Sequence, residues 1–169
     1  VGGMIVQFVV NGFGVIFIAG FTATNKLYGV LEVAATSYGY AMVTYTGQNL
    51  GARKTERIRR GVKAALLIAL FTSLIIAGAM LLGGRVILGW FISGTPTEAR
   101  QALQIAYYYL AVMSICLPIL YTLHITRSAI QGMGNTLLPL VSGIAEFIMR
   151  AVTAIFLPVL IGEKGIFYA

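Results

Sequence analysis

The chain has no aspartate, one cysteine, one histidine and one tryptophan, and its five acidic residues are all glutamates. Paired carboxylates, nucleophile–base arrangements and metal clusters cannot be assembled from so few reactive side chains, and no phosphate-cradling glycine loop is present. These absences argue against an enzyme and against a bound cofactor or metal. Cys116, alone inside an apolar segment, excludes a disulfide framework and reads as packing. Charge is scarce as well. The chain is 10% charged and 59% hydrophobic, whereas soluble domains hold about a quarter charged and about half apolar residues. The expected solvent is the lipid bilayer.

A net charge of +7 would point to nucleic acid in a soluble protein. Half of the twelve basic residues, however, sit in one stretch, GARKTERIRRGVK at 51–63, which holds Arg53, Lys54, Arg57, Arg59, Arg60 and Lys63 against Glu56. No aromatic-basic groove and no zinc spacing accompany them, so no nucleic-acid partner is expected. The chain opens at Val1 without a methionine or signal-peptide pattern and stops at GIFYA, where a further apolar segment could begin. This predicts an internal fragment of a longer protein.

Crossing about 30 Å of hydrocarbon takes roughly 20 helical residues. Five apolar runs reach that length, near 4–24, 28–50, 64–91, 103–126 and 137–161, joined by TATNK, the basic loop, SGTPTEAR and QGMGNT, with GEKG at the end. The fold class expected is all-α, a single polytopic membrane domain over 1–169. In the third run, Gly83, Gly84 and Arg85 predict a break that leaves GRVILGWF at the interface. Basic residues in short loops set orientation. The stretch 51–63 has six, whereas 22–27 and 93–102 hold one each, Lys26 and Arg100. Loop 51–63 is therefore expected in the cytoplasm of a multi-pass protein of the cell membrane, with Val1 and QGMGNT inside and SGTPTEAR and GEKG outside. Trp90, Phe91, Tyr107, Tyr108 and Tyr109 would then form an outer aromatic belt.

Small residues let helices approach in lipid. Gly61, Ala65, Ala69, Ser73 and Ala77 recur every fourth residue in the third run, and Ala35 and Gly39 repeat the spacing in the second.

Polar residues inside these runs are the functional candidates, because they are costly in hydrocarbon. Glu32, Thr36, Tyr40, Thr44 and Gln48 spiral along the second run at intervals of four. They line a wet cavity, or the threonines bond their own helix backbone and the tyrosine sits at a lipid interface. Gln48, followed by Asn49, is an interfacial cap or a cross-helix tie. Glu146 and Arg150, one turn apart in the fifth run, form an ion pair that ties helices together or takes part in coupling. Gln7 and Asn11 in the first run are interhelical ties or ligands for a cation or substrate. Pro118 predicts a kink that leaves the Ser114 carbonyl without its helical donor. His124, near the cytoplasmic end, is a residue able to titrate or a solvated interfacial side chain.

The stretch TGQNLGARKTERIRRG at 46–61 resembles the end of the second helix of a lobe in multidrug and toxic compound extrusion (MATE) transporters, where a VGQ-x-x-GA signature precedes a basic loop. Gln48, Gly51 and Ala52 carry that match. RSAIQGMGNT at 127–136 is similar to the family's turn between the fourth and fifth helices, through Arg127, Gly132, Gly134, Asn135 and Thr136. The resemblance covers essentially the whole chain and looks most like the carboxyl-terminal lobe, helices seven to eleven of twelve. It implies a two-lobe antiporter that exports organic cations or drugs in exchange for sodium ions or protons, with the amino-terminal lobe of the same polypeptide, the bilayer and the substrates as partners. Some members carry acids in the seventh and tenth helices; here those helices offer Gln7 and Asn11 and no acid. Pathway candidates by position and polarity are Gln7, Asn11, Glu32, Tyr40, Glu146 and Arg150. Two other functions remain open on these residues: a lipid-linked oligosaccharide flippase of the same superfamily, whose cavity should be strongly cationic, and a non-transporting membrane scaffold.

Overall fold

The computed structural model describes residues 2–168, with side-chain surroundings for 6–160, 162 and 165–167. Five α-helices follow one another: α1 (Gly2–Val10), α2 (Val15–Gly51), α3 (Thr55–Gly89), α4 (Pro96–Gly132) and α5 (Leu137–Ile161); a 3₁₀ turn, Glu163–Tyr168, closes the chain. No strand occurs among the described residues. The spans Thr55–Gly89, Pro96–Gly132 and Leu137–Leu160 are long and apolar enough to cross a membrane. α2 is as long as α4 at 37 residues, but its threonines, tyrosines, Glu32, Gln48 and Asn49 keep it outside that group. The molecule is a helical membrane bundle.

Two boundaries differ from those expected. The first run, 4–24, is broken after Val10, where Gly12 and Phe13 N–H groups turn back onto Val9 and Val10 and Gly14 takes φ +95°. That left-handed backbone costs an L-residue about 1–2 kcal/mol and glycine nothing. The join expected at TATNK is instead helical, and α2 runs straight through it. Thr24 Oγ1 donates to Gly20 O at 3.2 Å and to Ala106 O at 2.9 Å, and Tyr109 OH donates to Asn25 Oδ1 at 3.1 Å. Turn-forming side chains are here consumed by α4, so they no longer compete with the helix. The predicted break at Gly83 and Gly84 is also absent, since α3 continues to Gly89. Gly84 is held in the helix by close contact: a Cβ there would meet Leu110 Cδ2 at 2.5 Å.

The helix ends carry their own signals. At the start of α4, Thr95 and Glu98 bond to each other, Oγ1 to Oε2 at 2.5 Å, with Pro96 between them. Glu98 Oε2 also accepts from Thr95 N–H at 3.4 Å, the carboxylate half of a capping box, with proline at the first helical position. α4 ends in a Schellman turn: Gly134 (φ +87°) donates to Gln131 O and Asn135 N–H reaches Ile130 O. Asn135 Oδ1 then caps α5 by accepting from Leu138 N–H at 3.1 Å. α2 ends in the same turn, with Arg53 N–H on Leu50 O at 2.9 Å and Lys54 N–H on Asn49 O at 2.8 Å, but the left-handed position is filled by Arg53 at φ 56°. Arg53→Gly should therefore raise stability by about 1 kcal/mol, read as a higher melting temperature of the purified protein in detergent. An unchanged or lower value would show that the Arg53 side chain makes up for its backbone.

By internal contacts the chain forms two compact units, to which α2, α3, α4 and α5 all contribute. The first comprises 1–28, 79–114 and 143–169. Its core stacks Phe21 on Tyr109, Tyr109 on Phe167 and Phe167 on Phe17, with ring centroids 4.9–5.4 Å apart. Tyr109 is thus a core residue and not part of an interfacial belt. Tyr107 is also engaged within the unit, donating to Leu81 O at 2.8 Å beneath the Arg85 guanidinium, whereas Trp90 and Phe91 are exposed.

The second unit comprises 29–78 and 115–142. Here the small-residue ridge of α3 does face inward, with Ala69, Ser73 and Ala77 buried, as is Ala35 on α2. Leu67, Ile68, Phe71, Leu74 and Ile75 on the same helix are exposed, the division expected of a helix packed on one side and bathed in lipid on the other. Cys116 is exposed, contrary to a packing role. Pro118 lies inside α4 without ending it.

Candidate functional site

In the second unit, Glu32 leaves α2 toward α4. Its Oε1 lies 3.9 Å from His124 Nε2, with the two side chains 42% and 26% exposed. The next residue back along α2 is tied to the same helix, because the buried Tyr121 hydroxyl donates to Leu31 O at 3.0 Å. The Tyr121 ring sits 6.2 Å from that of Tyr38, whose hydroxyl shares a hydrogen bond of 3.1 Å with Thr72 on α3. A polar thread thus joins α4, α2 and α3 around one carboxylate. Neither the histidine nor Tyr121 could be assigned to this site from the sequence, because the partners come from distant parts of the chain.

The remaining members of the α2 series do different things. Thr36 donates to Glu32 O and Val33 O, and Thr44 donates to Tyr40 O, so both satisfy their own helix. Tyr40 is exposed, and Gln48 is exposed at the end of α2, beside a cleft at the basic turn. Of the five, among the described residues, Glu32 is the one whose side chain lies against a histidine on another helix.

The first unit holds the other polar candidates. Arg150 Nη2 donates to Glu146 Oε1 at 3.2 Å, with both side chains about two-fifths exposed. Gln7 Nε2 donates to Asn11 Oδ1 at 2.9 Å, so these amides bond each other along one stretch of chain. The unit also contains a cleft of about 440 Å³ walled by Phe13, Phe17, Tyr108 and Phe167 and edged by Gln101 and Gln104. Among the described residues its lining carries no charge.

The two motif stretches meet in the second unit. A Cβ on Gly132 would lie 2.6 Å from Val43 O and 2.9 Å from Thr46 Cβ, so the end of α4 rests directly on the backbone of α2 one turn before Gln48. Arg127 clamps α4 to α5 through Ser142 Oγ, at 2.9 Å from Nε and 2.7 Å from Nη2. Gly134 and Asn135 form the turn and cap described above, and Thr136 O accepts from Leu140 N–H. Gly51 and Ala52 occupy the exposed end of α2. These motif residues shape helix ends and their crossings.

Long apolar helices and small-residue crossings define an α-helical membrane protein. Residues 1–156 match the MatE family model, and the chain belongs to that family of membrane transporters. No curated protein and no solved structure matches it.

Proposed function

We propose that this chain forms the carboxyl-terminal lobe of a secondary active efflux transporter, an antiporter that exports organic cations or drugs across the cell membrane in exchange for sodium ions or protons. The observation that carries this reading is Glu32. A carboxylate within a membrane bundle is costly, and among the described residues Glu32 is neither neutralised by a lysine or arginine ion pair nor buried. It is therefore available to a proton, a sodium ion or a cationic substrate. Glu146, by contrast, is held by Arg150, which favours a tying role with coupling as a secondary one.

The uncharged cleft of the first unit supports the substrate class. Four aromatic walls and two amides offer ring faces and hydrogen bonds to an amphiphilic cation, and no basic side chain among the described residues lines the cleft to repel it. Gln7, Asn11 and Tyr40 remain pathway candidates, the amides as a mutually bonded pair that a cation would have to prise apart. The basic stretch 51–63, a short turn that runs on into the first turns of α3 from Thr55 and not a loop as expected, lies on the cytoplasmic side in this reading, which the concentration of basic residues supports.

Ethidium export from vesicles that contain the intact protein tests the proposal: an imposed sodium or proton gradient should drive it, and export indifferent to both gradients would leave a scaffold as the better reading. In the same vesicles Glu146→Gln should lower the rate by about tenfold, or about 1.4 kcal/mol in barrier, with little change in melting temperature. Arg150→Ala should lower both, since losing one charge-assisted hydrogen bond of Glu146 costs about 1.5–3 kcal/mol. Normal export by Glu146→Gln at equal protein density would remove Glu146 from the coupling machinery.

A further inference from the structure

The turn between α2 and α3 encloses a cleft of about 500 Å³ lined by Tyr45, Gln48, Asn49, Lys54, Arg57 and Arg60. Its walls are fixed. The Tyr45 hydroxyl donates to Arg57 O at 2.9 Å, and the Tyr45 ring fills the space of the missing side chain at Gly61, where a Cβ would lie 2.1 Å from Cε1. The Asn49 amide donates to Tyr45 O at 2.8 Å, and the Schellman turn at Arg53 sets the direction in which α3 departs.

The charge balance inside the cleft is unequal. Glu56, the one acid of the turn, is bonded to Arg60 Nε at 3.1 Å. Lys54 and Arg57 form no ion pair among the described residues. Two uncompensated cations thus face an opening at the start of a 35-residue helix, where free N–H groups and the helix dipole add further positive potential. About three to six turns further on, the same helix exposes Leu67, Ile68, Phe71, Leu74 and Ile75.

We infer that this cleft binds the phosphate of an anionic membrane lipid, whose acyl chains lie along the exposed apolar face of α3. Lys54 and Arg57 ligate the phosphodiester oxygens, and the Gln48 amide is placed to meet the glycerol or headgroup hydroxyls. The shared chemistry with soluble phosphate is the oxyanion. The adjoining apolar face is what favours the lipid. Such a site gives the basic turn a ligand, beyond any part it plays in orientation.

The test follows the melting temperature of the intact protein in mild detergent during titration with phosphatidylglycerol, phosphatidylcholine or inorganic phosphate. Phosphatidylglycerol should stabilise the wild type at concentrations where phosphatidylcholine does not. Near a membrane surface each Lys or Arg contributes enough that losing two weakens anionic-lipid binding by about thirtyfold, so Lys54→Gln/Arg57→Gln should shift the phosphatidylglycerol midpoint by that factor. Lys54→Arg/Arg57→Lys, which keeps both charges, should retain most of the response. Arg59→Gln/Lys63→Gln removes the same net charge outside the cleft and should shift the midpoint only a fewfold. Equal shifts in the two glutamine doubles would reduce the effect to general surface charge and overturn the site. Equal responses to phosphatidylglycerol and phosphatidylcholine would do the same. A full response to millimolar inorganic phosphate would overturn the lipid as occupant.

Discussion

Glu32→Gln should leave a folded protein that has lost gradient-driven export. The 3.9 Å approach to His124 joins two partly exposed side chains, and a pair of that kind contributes at most about 1 kcal/mol to stability. The amide keeps the shape of the carboxylate and loses only the charge, so the melting temperature should move little. Transport should fall by more than about tenfold, or about 1.4 kcal/mol, because an amide cannot take up and release a proton or balance a cation. Measuring ethidium export under a proton gradient alone and a sodium gradient alone, at equal protein density, checks this and identifies the coupling ion. His124→Gln separates the partners: it keeps the carboxylate and should reduce the rate less than Glu32→Gln does. Wild-type export by Glu32→Gln would show that coupling does not run through this residue.

Gly132→Ala and Gly20→Ala should each destabilise the bundle by about 1–3 kcal/mol, although alanine is the better helix former. At Gly132 the added methyl meets Val43 O at 2.6 Å and Val43 Cα at 3.1 Å; at Gly20 it meets Ala102 O at 2.6 Å and Ala106 N at 3.2 Å. The obstacles are backbone atoms, which cannot rotate away as a side chain would. Both positions lie where α2 and α4 cross, one in each unit, so the helices must part. Leucine at Gly132 should prevent recovery of monodisperse protein. Gly78→Ala and Gly29→Ala provide the contrast: nothing lies within 4 Å of a Cβ at either, and each should stabilise its helix by about 0.5–1 kcal/mol. If all four alanine variants melt alike, the crossings are looser than these distances require.

The sequence was informative where the physics is local. Transfer free energy accumulates residue by residue, so an excess of apolar side chains in runs of twenty or more was enough to predict a helical membrane protein and most of its helices. Turn chemistry was legible at the end of α4, where Gly134 and Asn135 form the cap their types suggest. It misled at TATNK. Threonine and asparagine break helices by competing for backbone hydrogen bonds, and that competition vanished once Ala106 O and Tyr109 OH supplied partners from another helix. The tyrosine run at 107–109 misled for a similar reason: an aromatic ring belongs to an interface or a core depending on whether another ring lies against it, as Phe21 and Phe167 lie against Tyr109.

What the sequence by itself determined was the solvent, the class of fold and, through its two loop motifs, the family to which residues 1–156 belong. What only the tertiary structure decided was the pairing of the polar side chains within that fold. Four residues spaced alike along α2 with Glu32 turned out to bond their own helix or face outward, while Glu32 alone met a titratable partner on α4. Hydrogen bonds and ion pairs reach about 3–4 Å, so their partners are fixed by how helices cross. Those crossings are set by backbone approach at glycines such as Gly20 and Gly132, whose importance depends on the helix opposite and not on their neighbours in the chain.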